Sequence, residues 1–213
     1  QWGMNGGGPG SNIWKTTDGG VTWTKLESGI PSGPKGRIGL DVYRRNPNVL
    51  YARIEHETES GIYRSDNAGK NWKRMGLEKS EHIARIVIDP RNSDVLYVAA
   101  QGPLWADGGD RGLYKTSDGG KTWASIITVS ERTGVTDIVM DPRNPDILIA
   151  ATWQRRRHFY TLINGGPESA LYRSADAGKS WKKITSGMPS GTLGRIGLAI
   201  SPKDPDVVYA TVE

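Results

Sequence analysis

The chain has 213 residues, no cysteine, and a net charge of +5 from 28 basic and 23 acidic residues. Its 28 glycines and 12 prolines make up about 19% of the chain, against an average of about 12%, which argues against a helical bundle because both residues break helices. The lack of cysteine excludes disulfides, thiolate metal sites and a cysteine nucleophile. The interspersed charges do not indicate a nucleic-acid footprint, and no apolar run is long enough for a transmembrane helix.

A short motif recurs four times along the chain, with the pattern Ser/Thr-x-Asp-x-Gly-x-Thr/Ser-Trp and Asn in place of Asp in the second copy. Its third positions are 18, 67, 118 and 176, which lie 49, 51 and 58 residues apart. We call these segments the repeated turns. Their motif residues are Thr16, Asp18, Gly20 and Trp23; Ser65, Asn67, Gly69 and Trp72; Thr116, Asp118, Gly120 and Trp123; Ser174, Asp176, Gly178 and Trp181.

A second pattern alternates with the repeated turns: an apolar run, a Pro/Asn/Asp turn and another apolar run, as in VIDPRNSDVLYVAA. It predicts two strands, A and B, joined by a tight turn, and each repeated turn predicts a further pair, C and D. Four short strands in a repeat of about 50 residues are typical of a β-propeller blade, and we expect almost no helix. The chain order is C–D, three times A–B–C–D, then A–B, which makes 16 strands.

The predicted fold is therefore all-β, with four blades' worth of four-stranded antiparallel sheets in one region, 1–213. Blade junctions are expected near 36, 82, 134 and 194, with an irregular junction or a gap near 74–81. Residues 1–55 also align with 159–213 without a gap, and 23 of the 55 pairs are identical. Because propellers have about 4–8 blades, an arc of a larger ring is expected rather than a closed one.

The repeated turns are best explained as structural. An Asp side chain in a turn accepts hydrogen bonds from backbone N–H and hydroxyl groups, Gly supplies positive φ, and Trp buries apolar surface between blades. Asn67 can still accept hydrogen bonds but carries no charge. The replacement of Asp by Asn would be harmful in a catalytic site and is nearly neutral in a turn.

The repeated motif resembles the Asp-box, also called the bacterial neuraminidase repeat, which is found in sialidases, xyloglucanases and sortilin-type receptors. The segments WKTTDGG, HIARIVIDPRN, WQRRR before GGPES, and LGRIGLAISP are most similar to large bacterial secreted proteins with a sortilin-like propeller, often labelled glycosyl hydrolases. The resemblance implies an extracellular or periplasmic location, although the chain opens on no signal peptide, and it adds peptide or protein ligands to the possibilities.

Propeller geometry predicts where a ligand would bind. The B–C and D–A loops share one face, here called the upper face, while the A–B and repeated turns share the lower face. The upper-face loops are the long, variable ones, as expected of binding loops. Arginines there would suit carboxylate, sulfate or phosphate groups, and aromatic residues could stack on sugars or peptide side chains. The residues singled out are Arg37, Arg85, Arg195, Trp105, Asp107, Asp110, Arg155, Arg156, Arg157, His158 and Tyr160, with His82 nearby.

Each of these assignments has a structural alternative. Arg37 and Arg195, in the repeated Gly-Arg-Ile-Gly segments, could instead brace adjacent blades, residues 155–157 could form a solvated loop, and the histidines could be incidental. A sialidase needs an arginine triad, a Tyr/Glu pair and an Asp, but no clear Tyr/Glu pair appears near Glu55, Glu57 and Glu59. Asp107 and Asp110 qualify as glycosidase carboxylates by location only.

We therefore predict a non-catalytic extracellular propeller that binds a protein, peptide or glycan, without cofactor, metal, nucleic acid or membrane insertion. The alternatives are a secreted glycoside hydrolase of the sialidase or xyloglucanase type and a structural subunit of a larger assembly. Further blades are expected from the same polypeptide or from a partner chain.

Overall fold

Eighteen β-strands provide nearly all regular structure in the computed structural model, which describes residues 7–213. A hairpin of β1 (Ile13–Lys15) and β2 (Thr24–Leu26) comes first. Blade 1 contains β3 (Ile38–Val42), β4 (Leu50–Ile54), β5 (Gly61–Ser65) and β6 (Lys73–Arg74), and blade 2 contains β7 (Ile83–Ile88), β8 (Leu96–Ala100), β9 (Gly112–Thr116) and β10 (Ala124–Ile127). Blade 3 contains β11 (Thr133–Met140), β12 (Leu148–Gln154), β15 (Leu171–Ser174) and β16 (Lys182–Ile184), with an inserted hairpin of β13 (Arg156–Arg157) and β14 (Leu162–Ile163). A last hairpin has β17 (Ile196–Ile200) and β18 (Val208–Val212).

The prediction of an all-β chain with almost no helix is confirmed. Within residues 7–213, helical structure is limited to one 3-10 turn, Glu78–Ser80. Each blade is a four-stranded antiparallel sheet whose strands pair in chain order, apart from the inserted hairpin in blade 3. None of the helical structure in this part of the chain has the length and hydrophobicity that a membrane-spanning helix requires.

The sheets stack through their apolar faces, as the alternating apolar residues of the strands require. The first strands β3, β7, β11 and β17 lie side by side, and each hydrophobic cluster joins two neighbouring sheets. Representative pairs are Ile13 with Ile54, Tyr51 with Ile86, Tyr97 with Ile138, and Val139 with Ile196. In the described residues no ladder joins β18 to β1, so the β-propeller forms an open arc, as predicted.

Every repeated turn contains the same two hydrogen bonds to the side chain at its third motif position. In the third copy, Asp118 Oδ1 accepts bonds from the Thr116 hydroxyl (2.7 Å) and the Thr122 N–H (2.9 Å). Asn67 accepts the corresponding two bonds in the second copy, at 2.9 Å each. The Asp or Asn side chain therefore holds the turn through contacts that are short in sequence.

The motif tryptophans pack against the blade that precedes them. Trp72 is buried beside Ile13, and Trp123 donates from Nε1 to the carbonyl of Met75 in blade 1 (2.6 Å). Trp23 is exposed, and in the described residues no blade precedes its hairpin. Interblade burial of this tryptophan thus depends on the neighbouring sheet.

Residues 74–81 connect blades 1 and 2 by an unusual route. After the short β6, the Met75 N–H donates to the Ile62 carbonyl (2.7 Å), which extends the strand without a regular ladder. The 3-10 turn follows, flanked by Leu77 and Glu81, both with φ of 57°. Leu77 is buried in the core between the blades, which explains how the strained backbone is held.

Candidate functional site

The upper-face arginines do not occupy equivalent positions. Arg37 and Arg195 immediately precede the first strands β3 and β17, but Arg85 is the third residue of β7 and follows a register shift. A matching shift in β11 precedes Asp137, and the Arg85 guanidinium donates to this carboxylate at 2.9 Å. The three arginines therefore do not form a triad of equivalent residues, because the bulge in β7 moves Arg85 deeper into the sheet.

Another arginine braces blades 1 and 2. Arg53, on β4, donates a hydrogen bond to the carbonyl of Ile83 in the next blade. Its side chain crosses Gly39 on β3, where an added Cβ would overlap the guanidinium. Between blades 1 and 2 the bracing role considered for Arg37 is filled by Arg53, which was not predicted, whereas Arg195 does reach the neighbouring blade by donating to Thr136 Oγ1 (3.2 Å). The sequence signal for this role of Arg53 is Gly39, the residue opposite Arg53 in the strand register.

A tryptophan holds two of the upper-face arginines. The guanidinium carbons of Arg155 and Arg195 lie 4.9 and 5.8 Å from the ring centroid of Trp153, within cation–π range. Trp153 is 9% exposed, and neither its Nε1 nor the Nε of Arg155 has a hydrogen-bond partner in the described residues. Burial, and then the positive charges of Arg111 and Arg37, lower the pKa of Arg155 to about 10.

The two candidate carboxylates on the loop between β8 and β9 hold neighbouring loops together. Asp107 lies 3.2 Å from Arg132 Nε and 3.5 Å from Arg156 Nε. Asp110 Oδ2 accepts a hydrogen bond from the Lys79 N–H at 2.9 Å. Both carboxylates thus have protein partners that fix the position of this loop.

A buried arginine shapes the same loop, which we call loop 101–110. Arg111, at the start of β9, donates to the carbonyls of Gln101 (2.7 Å), Pro103 (2.6 Å) and Ala106 (3.1 Å). Burial lowers its pKa, and no carboxylate lies within ion-pairing distance of it in the described residues. Arg111 was not predicted, because a single arginine in a glycine-rich loop carries no distinguishing pattern.

The loops of blades 2 and 3 meet in an exposed group of aromatic residues, here called the aromatic patch. It consists of Trp105, Arg157, His158, Phe159 and Tyr160. Trp105, Phe159 and Tyr160 are 54%, 98% and 86% exposed. The Trp105 ring lies 5.8 Å from Phe159 and 5.8 Å from the Arg157 guanidinium, and His158 stacks on Tyr160 at 5.5 Å. Phe159 was not predicted, although it lies between two residues that were.

The blade 1 side of the upper face is acidic instead. A groove of about 630 Å³ is lined by Glu55, Glu57, Glu78 and Glu81, among other residues. His82 Nδ1 lies 3.1 Å from Glu55. Burial raises the pKa of Glu55, but this hydrogen bond and the charges of His82 and Arg37 outweigh it, so the pKa lies below its ordinary value. Among residues 7–213, no three His, Asp or Glu side chains are grouped to hold a metal ion.

Comparison with known families now assigns the chain. A family profile described as Sortilin-Vps10 (sortilin, neurotensin receptor 3) matches residues 60–190, which is more than half of the chain. The chain belongs to the Sortilin-Vps10 family. The sortilin-like resemblance of its motifs is thereby confirmed.

Other relatives of this Sortilin-Vps10 chain are glycan-acting enzymes. A xyloglucanase from Acetivibrio thermocellus is 27% identical over 210 residues, and one from Hypocrea jecorina is 23% identical over 202 residues. Each match covers 82% of this chain and 23% of the relative, so the chain spans about a quarter of their length. The crystal structure of a GH74 xyloglucanase from Xanthomonas campestris superposes with a TM-score of 0.65 at 22% identity, covering 96% of this chain and 32% of that one. This likeness supports the propeller fold.

The fold of this Sortilin-Vps10 chain groups the predicted residues in two places. Arg155 and Arg195 meet at Trp153, while Trp105, Arg157, His158 and Tyr160 form most of the aromatic patch. The remaining predicted residues are engaged elsewhere: Arg37 with Glu55, Arg85 with Asp137, and Arg156 and Asp107 with each other, while Asp110 binds the Lys79 backbone.

Proposed function

We propose that this chain is the glycan-binding part of an extracellular β-propeller of the glycoside-hydrolase type, with the aromatic patch as its binding surface. The observation that carries the proposal is the exposure of Trp105, Phe159 and Tyr160 side by side. A group of exposed aromatic rings leaves apolar surface in contact with water, which is unfavourable. Such patches mark binding sites. A sugar ring has an apolar face that stacks on an aromatic ring and hydroxyls that reach polar neighbours.

The relatives support a glycan as the ligand. Those described above are xyloglucanases, and they match 82% of this chain at low identity. A peptide ligand remains the second candidate because the family profile is that of sortilin. Trp105 and Phe159 expose two adjacent rings, with centroids 5.8 Å apart and ring planes inclined by 48°, and this extended apolar surface favours a sugar over a single side chain.

Within the described residues we propose binding rather than hydrolysis. Glycosidases use two carboxylates, one held as an acid and the other as a base or nucleophile. Asp107 is paired with two arginines, and Asp110 is bonded to the Lys79 backbone, so both act in loop positioning. The alternative of hydrolysis would be supported if reducing ends were released from xyloglucan and if Asp107→Asn abolished that release while binding persisted.

The aromatic patch is tested by substituting its rings one at a time. Trp105→Ala and Phe159→Ala should each weaken binding of a xyloglucan oligosaccharide by about three- to tenfold, since one stacked ring contributes roughly 0.5–1.5 kcal/mol. Isothermal titration calorimetry measures the change. Tyr209→Ala is the matched control, because Tyr209 is an exposed aromatic residue on β18, outside the patch.

Equal loss in the Tyr209 variant would show that exposed aromatic residues in general promote adsorption, contrary to the proposal. Binding of peptides but of no oligosaccharide would support the sortilin-like alternative. Circular dichroism of each variant checks that the fold is retained.

A further inference from the structure

A line of arginines runs from the first strands to the aromatic patch. Arg195 and Arg155 both lie over the ring of Trp153. The segment from Arg155 to Arg157 runs alongside loop 101–110. Arg155 Nη2 donates to the Gly102 carbonyl (3.3 Å), and the Arg157 N–H donates to the Leu104 carbonyl (2.9 Å). We call Arg195, Arg155 and Arg157 the arginine strip. It ends at Trp105, so strip and patch form one surface.

The positive charge of this strip has no ion-pairing partner among the described residues. In residues 7–213, no carboxylate lies within 4.0 Å of Arg195, Arg155 or Arg157, and the first six residues contain no Asp or Glu. The nearby Asp107 is shared by Arg132 and Arg156, two cations to one anion. Four glutamates of the upper face, Glu55, Glu57, Glu78 and Glu81, line the groove of blade 1 instead.

Most hydrogen-bond donors of the strip are also available. Arg195 donates from Nε to Thr136 Oγ1 (3.2 Å) and Arg155 donates to Gly102, whereas the Arg157 side chain donates no hydrogen bond within the described residues. A guanidinium presents several N–H groups in a planar fork that matches a carboxylate or sulfate. Arg157 and Arg195 are exposed, so a ligand can reach them.

The grouping of like charges needs a compensating partner. Arg155 and Arg195 lie over the same indole, where their charges repel each other, and Arg155 is half-buried among further arginines. An arginine whose only role is to be solvated would extend into water and would not lie half-buried beside another arginine. An anion bound by the strip would reduce this repulsion and accept hydrogen bonds from the free donors.

We propose that the glycan bound by this surface is acidic, with sugar rings on the aromatic patch and carboxylate or sulfate substituents on the arginine strip. This inference rests on the proposed function, since it assigns the substrate class of the same surface. An acidic ligand would distinguish this chain from proteins that bind neutral xyloglucan. Uronate and sulfate share the chemistry that the strip recognises, and the experiment distinguishes them.

The test compares glycans of equal length that differ in charge. Oligogalacturonate and a sulfated oligosaccharide are titrated against the protein beside a neutral xyloglucan oligosaccharide and hexaglutamate. We expect at least one acidic glycan to bind about tenfold more tightly than the neutral one, with the advantage shrinking as salt is raised. The preferred anion identifies uronate or sulfate as the substituent.

Substitutions of single arginines test whether the arginine strip binds the acidic substituents. Arg195→Gln should weaken binding of the acidic glycan by about tenfold and leave the neutral one unchanged, since it removes one charged hydrogen-bonding group from outside the aromatic patch. Arg157→Gln should weaken the acidic glycan by as much but also weaken the neutral one, because Arg157 belongs to the patch and lies over Trp105. Arg45→Gln, an exposed arginine in the β3–β4 turn on the lower face, should change neither. Both test arginines are exposed, so their replacement should leave the fold intact.

Equal affinity for neutral and acidic glycans would overturn this inference while leaving the proposed function in place. Failure of every glycan to bind would overturn both. Hexaglutamate that binds as tightly as the acidic glycan, and is insensitive to Trp105→Ala, would also overturn the inference, because it would show unspecific attraction of anions.

Discussion

Each repeated turn is held by the side chains at its first and third motif positions. In the fourth copy, Asp176 accepts hydrogen bonds from the Ser174 hydroxyl (2.7 Å) and the Ser180 N–H (2.9 Å). The bond from the Ser180 hydroxyl is the largest cause that lowers the pKa of Asp176, from its ordinary 3.8 to about 2. The turn therefore prefers the ionised carboxylate.

This preference predicts a pH-dependent stability. Because the pKa is lower in the folded state, ionised Asp176 stabilises the protein above about pH 4, and the contribution disappears as the pH falls toward 2. Asp176→Asn should keep the two short hydrogen bonds, as Asn67 does in its own turn, but lose the charge. We expect a slightly lower Tm than wild type at pH 7 and a difference that closes by about pH 2.

Thermal denaturation of both proteins across this pH range is the measurement. Since the side chain is partly exposed, solvent screening keeps the effect small. A Tm difference that stays constant from pH 7 to pH 2 would contradict the role of the charge.

Residue roles were predictable only where contacts are local in sequence. Asp118 bonds residues two and four positions away, so its role follows from the motif itself. Arg53 reaches Ile83, thirty residues ahead, and the isolated Arg111 gathers carbonyls from its whole loop. Such contacts depend on the register of the folded sheets, which composition and spacing do not contain.

At the scale of elements, loop 101–110 depends on the buried guanidinium of Arg111. The three carbonyls that it binds would lose their partners if the side chain were removed. Arg111→Met should therefore destabilise the protein by about 3 kcal/mol, the order expected for several unsatisfied buried groups. The loop should also become more open to solvent, which weakens glycan binding at Trp105.

Hydrogen–deuterium exchange of residues 101–110, with chemical denaturation, measures both effects. Arg132→Met serves as the control, because Arg132 contacts Asp107 of the same loop from an exposed position. Exchange that is unchanged in the Arg111 variant, or equal in the two variants, would contradict the assigned role.

The inserted hairpin shows why the loop conformation was not predicted. Strands β13 and β14 have two residues each, and Arg156 and Arg157 pair with Ile163 and Leu162. Two residues are too few for an alternating pattern to be recognised. The arginine run was weighed as a solvated loop or a binding loop, whereas the structure places it in a pleated element whose alternate side chains differ in exposure.

At the scale of the whole molecule, the lower face is linked by ion pairs between A–B turns. Arg91 of blade 2 binds its own Asp89 and, at 2.7 Å, Asp146 of blade 3. Arg143 of blade 3 repeats the arrangement with Asp206 of the last hairpin, also at 2.7 Å. The turns of successive sheets are therefore joined in one direction around the arc.

A double-mutant cycle on Arg91→Ala and Asp146→Ala tests this link. Both side chains are partly exposed, so we expect a coupling of only about 0.5 kcal/mol at low salt, which vanishes at high salt. Urea denaturation of the four proteins measures it. A coupling that persists in high salt would indicate packing rather than charge as the link.

The order of strands in the arc followed from the sequence because every repeat carries the same local pattern. The prediction of C–D, three full blades and A–B matches sixteen of the strands, and the inserted hairpin accounts for the other two. The relation between loops of different blades did not follow, since Trp105 and Phe159 meet only after blades 2 and 3 have packed. The sequence thus predicted which loops lie on the upper face but not which of their side chains are in contact.

The repeated turns also match their neighbours in pairs, which limits how the blades could be rearranged. Lys15 and Lys115 each donate to the carbonyl of an alanine in the next blade's turn, Ala68 (3.1 Å) and Ala177 (2.8 Å). Arg64 occupies the same strand position but faces Gly119, where a methyl group would overlap its guanidinium. Lysine therefore goes with alanine and arginine with glycine across each boundary, so shuffling or duplicating blades to build new propellers would succeed only where these pairs are kept together.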